Sequence, residues 1–148
     1  MATASASIDL AFSPDEVWRL IGGFGSLPDW LPFIPDSRLE EGGRVRHLTT
    51  VDGDTIVERL IAFDDRTRSY SYHILAAPFP QTDYLSTLRV TPIVDGKAAR
   101  VEWFGAFTPD GVSEAEVAEL FRGIYADGLA ALKALVEHPP GKPNASGA

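Results

Sequence analysis

The chain has 148 residues, 45% of them hydrophobic and 23% charged, with a formal net charge of −8. That length favours one soluble globular domain with room for a sizeable core. The acidic balance argues against nucleic acid and against anionic membranes, since both recruit basic surfaces.

There is no cysteine, and the three histidines, His47, His73 and His138, are well separated. Disulfides, thiolate chemistry and metal binding are therefore not expected. Met1 to Ser7 lacks the basic and apolar regions of a secretion signal, and no apolar stretch is long enough to span a bilayer. A cytoplasmic protein is expected.

Ala4 to Phe12 alternates Ala6, Ile8, Leu10 and Phe12 with polar neighbours, a half-buried first strand. Ser13-Pro14-Asp15-Glu16 then starts a helix that runs to Ile21 and stops at Gly22-Gly23: serine at the cap, proline in the first turn, glutamate at the capping-box position. Ser26 to Leu31 reads as a second short helix, closed by Pro32. Strands follow at Asp36–Glu41, Arg44–Val51, Thr55–Phe63, Ser69–Ala76, Tyr84–Thr91 and Ala98–Phe107. Asp52-Gly53 and Asp95-Gly96 supply turns between them. Ser113 to Glu137 is a long amphipathic helix. Its apolar stripe includes Val117, Leu120, Phe121, Ile124, Tyr125, Leu129 and Leu132, with Ser113 and Glu116 as a capping box.

This order predicts an α+β fold, a curved antiparallel sheet of about seven strands wrapped round the long C-terminal helix. A cavity is expected between helix and sheet. Residues 1–138 form this domain, and the Pro/Gly/Ser-rich tail, 139–148, is expected to be disordered.

Several stretches resemble the START / birch-pollen-allergen superfamily, in particular its bacterial polyketide cyclase/dehydrase-like branch. They are Trp30-Leu31-Pro32, Gly43-Arg44-Val45-Arg46-His47-Leu48, Ile56-Val57-Glu58-Arg59-Leu60 with Asp64-Asp65, Tyr70-Ser71-Tyr72, the Pro78/Pro80 loop before Tyr84, and Val101-Glu102-Trp103. The resemblance implies the helix-grip fold over about Ala4 to Val136. Glu58-Arg59-Leu60, Asp64-Asp65 and Tyr84 are also similar to the plant abscisic-acid receptors. Thr50-Val51-Asp52-Gly53 replaces their Ser-Gly-Leu-Pro gate and the His-Arg-Leu latch is missing, which tells against hormone reception.

Alternation sets Arg46, Leu48 and Thr50 against Val45, His47 and Thr49, and Ile56, Glu58, Leu60 and Ala62 against Val57, Arg59, Ile61 and Phe63. Neither strand sorts by polarity. The resemblance favours the first set of each facing inward, and a loop one residue longer than a two-residue turn then brings Arg46 beside Glu58. On the functional reading, Glu58 is a base or hydrogen-bond acceptor and Arg46 holds a carbonyl, enolate or carboxylate. On the other reading the two are a structural pair, or an outward one if the register slips.

Charge alternation at Arg100 and Glu102 turns Val101, Trp103, Gly105 and Phe107 inward, whereas a gapless match to the plant receptors implies Glu102 inward instead. The candidate catalytic set is Glu58, Arg46 and Tyr84. Expected ligand contacts are Trp30, Leu48, Leu60, Tyr72, Ile74, Phe79, Ser86, Trp103, Phe121 and Tyr125, with Phe79 as a lid; His73 is expected on the outside. No metal or other cofactor is expected.

Two functions fit. One is a cofactor-free cyclase, dehydratase or lyase acting on a small hydrophobic or aromatic molecule. The other is a non-catalytic carrier or sensor of such a molecule. A raised Glu58 pKa favours the first, and a tight Arg46–Glu58 pair favours the second. Nucleic acid and membrane partners are not expected, the chain is taken as a monomer or homodimer, and a subunit-interaction role of the acidic face stays open with no motif behind it.

Overall fold

The computed structural model describes residues 1–138; the tail expected to be disordered lies outside them. The elements are β1 (Ala2–Leu10), α1 (Pro14–Ile21), α2 (Leu27–Trp30), β2 (Asp36–Glu40), β3 (Val45–Thr49), β4 (Thr55–Asp64), β5 (Ser69–Ala76), β6 (Gln81–Ile93), β7 (Ala98–Pro109) and α3 (Glu114–Glu137). One antiparallel sheet runs β1-β7-β6-β5-β4-β3-β2. Every neighbouring pair is a sequential hairpin except β1–β7, where the first strand returns to the last. α3 lies against β1 and β7, with α1 and α2 beside it. This is the helix-grip α+β arrangement.

Local chemistry accounts for the helix starts. The Ser13 hydroxyl accepts from the Glu16 amide, and the Glu16 carboxylate accepts from the Ser13 amide. In α3 the Ser113 hydroxyl accepts from the Glu116 amide, but the returning carboxylate bond of the expected capping box is not made. Trp18 donates its indole N–H to Asp65 at 2.7 Å, tying α1 to the β4–β5 turn. The buried side of α3 is Val117, Phe121, Tyr125, Gly128, Leu129 and Leu132. Leu120, expected in the stripe, sits at its edge and stays 36% exposed.

β3 is shorter than expected and β7 runs on to Pro109; in β1, β6 and β4 the departure has a physical reason. β1 begins and ends two residues early, because Ala2 to Leu10 pairs with Phe107 to Ala99 and the chain must leave the sheet before the Ser13 cap. β6 is longer at both ends. It carries Pro92 because β5 pairs only as far as Arg89, so one side of β6 is an open edge there and a missing N–H is tolerated. In β4 a register shift between Leu60 and Ala62 leaves Ile61 as an extra residue. The bulge swaps the faces beyond it: Ala62, expected inside, faces out, and Phe63 comes onto the side of Trp18, at 5.7 Å between ring centroids, while staying 47% exposed.

Candidate functional site

The β3–β4 turn sets the register of the site. The Thr50 amide donates to the Asp54 carbonyl at 2.9 Å. The Thr50 hydroxyl accepts from the Asp52 and Asp54 amides. Gly53 takes φ = 87°, which a side chain would strain. The pairing then runs Thr49↔Thr55, Leu48↔Ile56 and Arg46↔Glu58. Arg46 and Glu58 become direct cross-strand neighbours on the concave face.

Arg46 is 1% exposed and Glu58 6%. Nε of Arg46 donates to Oε1 of Glu58 at 2.8 Å, and Nη2 stands 2.7 Å from the same oxygen in the ion pair. Nη1 donates to the Phe24 carbonyl at 3.0 Å and to the Tyr70 hydroxyl at 3.2 Å. The guanidinium lies 4.1 Å from the Phe24 ring centroid and 4.8 Å from that of Tyr72. Three of its five N–H groups donate to other described residues. The guanidinium, which also borders the cavity, is held mainly by Glu58, Phe24 and Tyr70. Burial opposes the Arg46 charge, but Tyr70, Glu58 and Tyr72 more than offset it and hold the cation well above its usual range. Burial pushes the Glu58 carboxyl up, with Arg46 opposing. Among the described residues Oε2 of Glu58 has no hydrogen-bond donor, although Glu58 faces the cavity.

A run of hydroxyls crosses the site from Glu58 towards α3. Trp103 donates its indole N–H to the Tyr72 hydroxyl at 3.0 Å. Tyr72 and Tyr84 hydroxyls are 3.3 Å apart, and those of Tyr84 and Tyr125 are 2.5 Å apart. The β6 bulge between Thr82 and Leu85, with Asp83 at φ = 53°, brings Tyr84 over Phe107, where the rings stack at 5.8 Å. Burial pushes Tyr72 and Tyr84 well above the ordinary phenol range and Tyr125 up to about 12. These phenols stay protonated at any working pH. Their hydroxyls hydrogen-bond to one another, beside the Glu58 carboxyl on the same cavity.

Gly105 makes room for this run. A Cβ there would stand 2.7 Å from the Tyr125 hydroxyl and 3.2 Å from the Leu85 carbonyl. Gly105→Ala is expected to cost about 1–3 kcal/mol by overpacking and to separate Tyr84 from Tyr125; urea unfolding checks the first and tyrosine hydroxyl NMR the second.

The cavity these groups border measures about 40 Å³. Arg46, Leu48, Glu58, Tyr72, Ile74, Phe79, Tyr84, Trp103, Phe121 and Tyr125 line it, all of them singled out from the sequence. Three others stand outside. Trp30 packs edge-on behind Trp103 at 5.9 Å, and its indole N–H has no partner among the described residues. Leu60 lies beyond Glu58 next to the β4 bulge. Ser86 is fully buried behind the tyrosines and donates to the Phe104 carbonyl. Sequence reasoning missed Leu27, Leu31, Phe33, Ile34, Ile56 and Ile124, which also line the cavity. Ile56 shares the face of Glu58 and Ile124 the stripe of α3, so alternation alone could have found both. Phe79 packs on Phe121 at 5.4 Å, Glu102 pairs outward with Arg89, and His73 is exposed on the outer face. A wider groove of about 620 Å³ lies between β1 and α3, but its charged residues, Glu119 and Arg122, pair with each other.

Comparison with known proteins agrees with this architecture. A structure of an uncharacterized protein from Bacillus thuringiensis is 54% identical over 89% of this chain and 96% of its own, with a TM-score of 0.87. XoxI from Bacillus cereus is 55% identical over 93% and 99%, with a TM-score of 0.89. The Zhui aromatase/cyclase from Streptomyces sp. R1128 is 17% identical over 91% of each chain, with a TM-score of 0.71, and shares the fold alone. Residues 1–137 match a family described as polyketide cyclase / dehydrase and lipid transport. At that coverage, the chain belongs to the polyketide cyclase/dehydrase and lipid transport family.

Proposed function

We propose that the protein binds a small hydrophobic or aromatic molecule with its polar group against Glu58. We further propose that it acts on that molecule as a cofactor-free cyclase, dehydratase or lyase. The observation that carries this reading is Glu58 itself: a carboxyl on a cavity that, Arg46 apart, is apolar and phenolic, raised by burial, with one oxygen free of donors among the described residues. Such a group removes a proton from carbon or oxygen of a bound carbonyl compound and returns it to a leaving hydroxyl. Tyr84 is the donor closest in role to an acid, because its hydroxyl is held between two others. Arg46 keeps Glu58 in place and tempers its basicity.

The short Arg46–Glu58 contact favours the second reading, a carrier or sensor in which the same carboxyl only orients the ligand. Incubation separates the two. Native mass spectrometry of the protein with phenols, aromatic acids, ketones and polyketide fragments finds the bound class, and chromatography of the incubated compound shows whether it changes. Conversion that falls about 10²- to 10⁴-fold in Glu58→Gln supports the enzyme. A compound that binds wild type and returns unchanged supports the carrier. Equal binding and equal conversion by wild type and Glu58→Gln would remove Glu58 from the site.

A further inference from the structure

We infer that the apolar groove outside the cavity, between Leu31–Phe33 and α3, is the outer half of the ligand site. The ligand is then elongated, with a hydroxyl or carbonyl head at Glu58 and an apolar body that runs out between Phe33 and Ile124. This rests on the reading of Glu58 given above and extends it to a class of ligand.

Size is the first ground. Small-molecule sites measure about 300–1,000 Å³, and the cavity at Glu58 measures about 40 Å³. That admits a water molecule and no organic ligand. The groove measures about 320 Å³.

Continuity is the second. Leu31, Phe33 and Ile124 line both spaces, so the same three side chains have the cavity on one side and the groove on the other. Among the residues lining the cavity, Phe33, Ile74, Phe79 and Ile124 are half-buried and the rest are buried. The roof is therefore made of side chains from four separate segments. Two of them, Phe33 and Ile124, belong to the partition.

The partition can part by side-chain rotation. The Phe33 carbonyl accepts from the Val51 amide at 3.1 Å, which fixes that backbone to the β3–β4 turn. Gly128 lets Leu31 lie close against α3; a Cβ there would meet Leu31 Cδ1 at 2.9 Å. Rotation of Phe33 and Ile124 joins cavity and groove without moving a strand.

Charge sets the far end. Pro32, Gly128 and Ala131 continue the apolar lining, and among the described residues Asp127, exposed on α3, is the one charged residue of the groove. A carboxylate at the tail of the ligand is disfavoured there, and a neutral or cationic end is accepted.

The test uses phenol, 4-ethylphenol, 4-butylphenol and 4-hexylphenol, with calorimetry as the readout. In the wild-type protein affinity is expected to rise about fourfold per methylene. Ala131→Trp fills the groove and is expected to abolish that dependence on tail length. Asp127→Lys, an exposed substitution that leaves folding intact, reads position independently of packing. It is expected to tighten binding of 6-(4-hydroxyphenyl)hexanoate several-fold and to weaken 6-(4-hydroxyphenyl)hexylamine by a similar factor. Phenols that bind with the same length dependence in Ala131→Trp, and tails indifferent to Asp127→Lys, would place the tail elsewhere and overturn the groove alone. Failure of every phenol to bind any of these proteins would overturn phenol binding at Glu58 as well.

Discussion

Arg46→Ala is expected to cost the fold about 3–5 kcal/mol, the range for removing one partner of a buried ion pair. The loss has three parts. Glu58, 6% exposed, is left with a buried charge and no counterion. The Phe24 carbonyl and the Tyr70 hydroxyl lose their donor. The space between the Phe24 and Tyr72 rings, which the guanidinium fills, empties. Urea unfolding at neutral pH measures the sum, and a loss below about 1 kcal/mol, the net value of one ordinary hydrogen bond, would contradict this account. The double variant Arg46→Met/Glu58→Leu takes both charges away together and is expected to recover most of the stability, since apolar replacement of a buried pair is often neutral or better. Such a variant is expected to fold and to lose ligand binding. That contrast would locate the reason for keeping the pair in function.

The pH dependence follows from the same pair. Burial raises the Glu58 carboxyl above its ordinary value of 4.5, with Arg46 opposing. An acid raised on folding contributes stability that is fully present below its unfolded pKa and is lost as pH rises through its folded one. Above that folded value the wild type carries an ionised, buried carboxylate that Arg46 partly compensates. In Arg46→Ala nothing compensates it, so the folded value climbs further. The deficit of the variant is therefore expected to be largest at neutral pH and to shrink as pH is lowered below 4.5, where Glu58 becomes protonated in both proteins. Chemical unfolding of the two proteins at a series of pH values checks the trend. A deficit that grows on acidification would reverse the assignment.

What the sequence made legible depends on whether the signal was periodic or tertiary. The stripe of α3 and the Ser13 cap are periodic or local, and both helices start where they are expected. The turn at Asp52-Gly53 fixed a sum of positions, so Arg46 opposite Glu58 could be anticipated once an inward face was chosen. Bulges are different. Nothing in the composition of Leu60-Ile61-Ala62 announces an extra residue there, yet it exchanges Ala62 for Phe63 on the side of Trp18. The longer β6 depends on where β5 stops pairing, which is not written in the sequence of β6. Trp30 was expected at the ligand because it lies in a short motif, but α2 turns its ring behind Trp103. The roof was half read: Phe79 stands out between two prolines, whereas Phe33 and Ile124 meet only after the α2–β2 segment packs on α3.

Trp103→Ala is expected to destabilise by about 3–5 kcal/mol and to be rescued in part by indole. Trp103 is 5% exposed, stacks on Tyr125 at 4.8 Å and meets Trp30 edge-on at 5.9 Å. α3 approaches so closely that a Cβ at Gly128 would stand 2.8 Å from its ring. Deleting the indole leaves an apolar void that opens onto the existing cavity and takes the donor from the Tyr72 hydroxyl. Apolar voids of that kind stay dry and accept aromatic molecules. Indole refills both roles, surface and N–H. At about one hundred times its dissociation constant a ligand returns about 2.7 kcal/mol. Thermal unfolding with and without indole measures the rescue, and benzene, which fills space without an N–H, separates packing from the hydrogen bond. Rescue by indole alone would mean that Tyr72 needs its donor to keep the hydroxyl run in order. Equal rescue by benzene would mean that the run is held by Tyr84 and Tyr125, and that Trp103 contributes shape. In either case the void lies between α3 and the sheet, against the tyrosines that border Glu58, so a small aromatic seated there tests directly whether this core can part around a ligand.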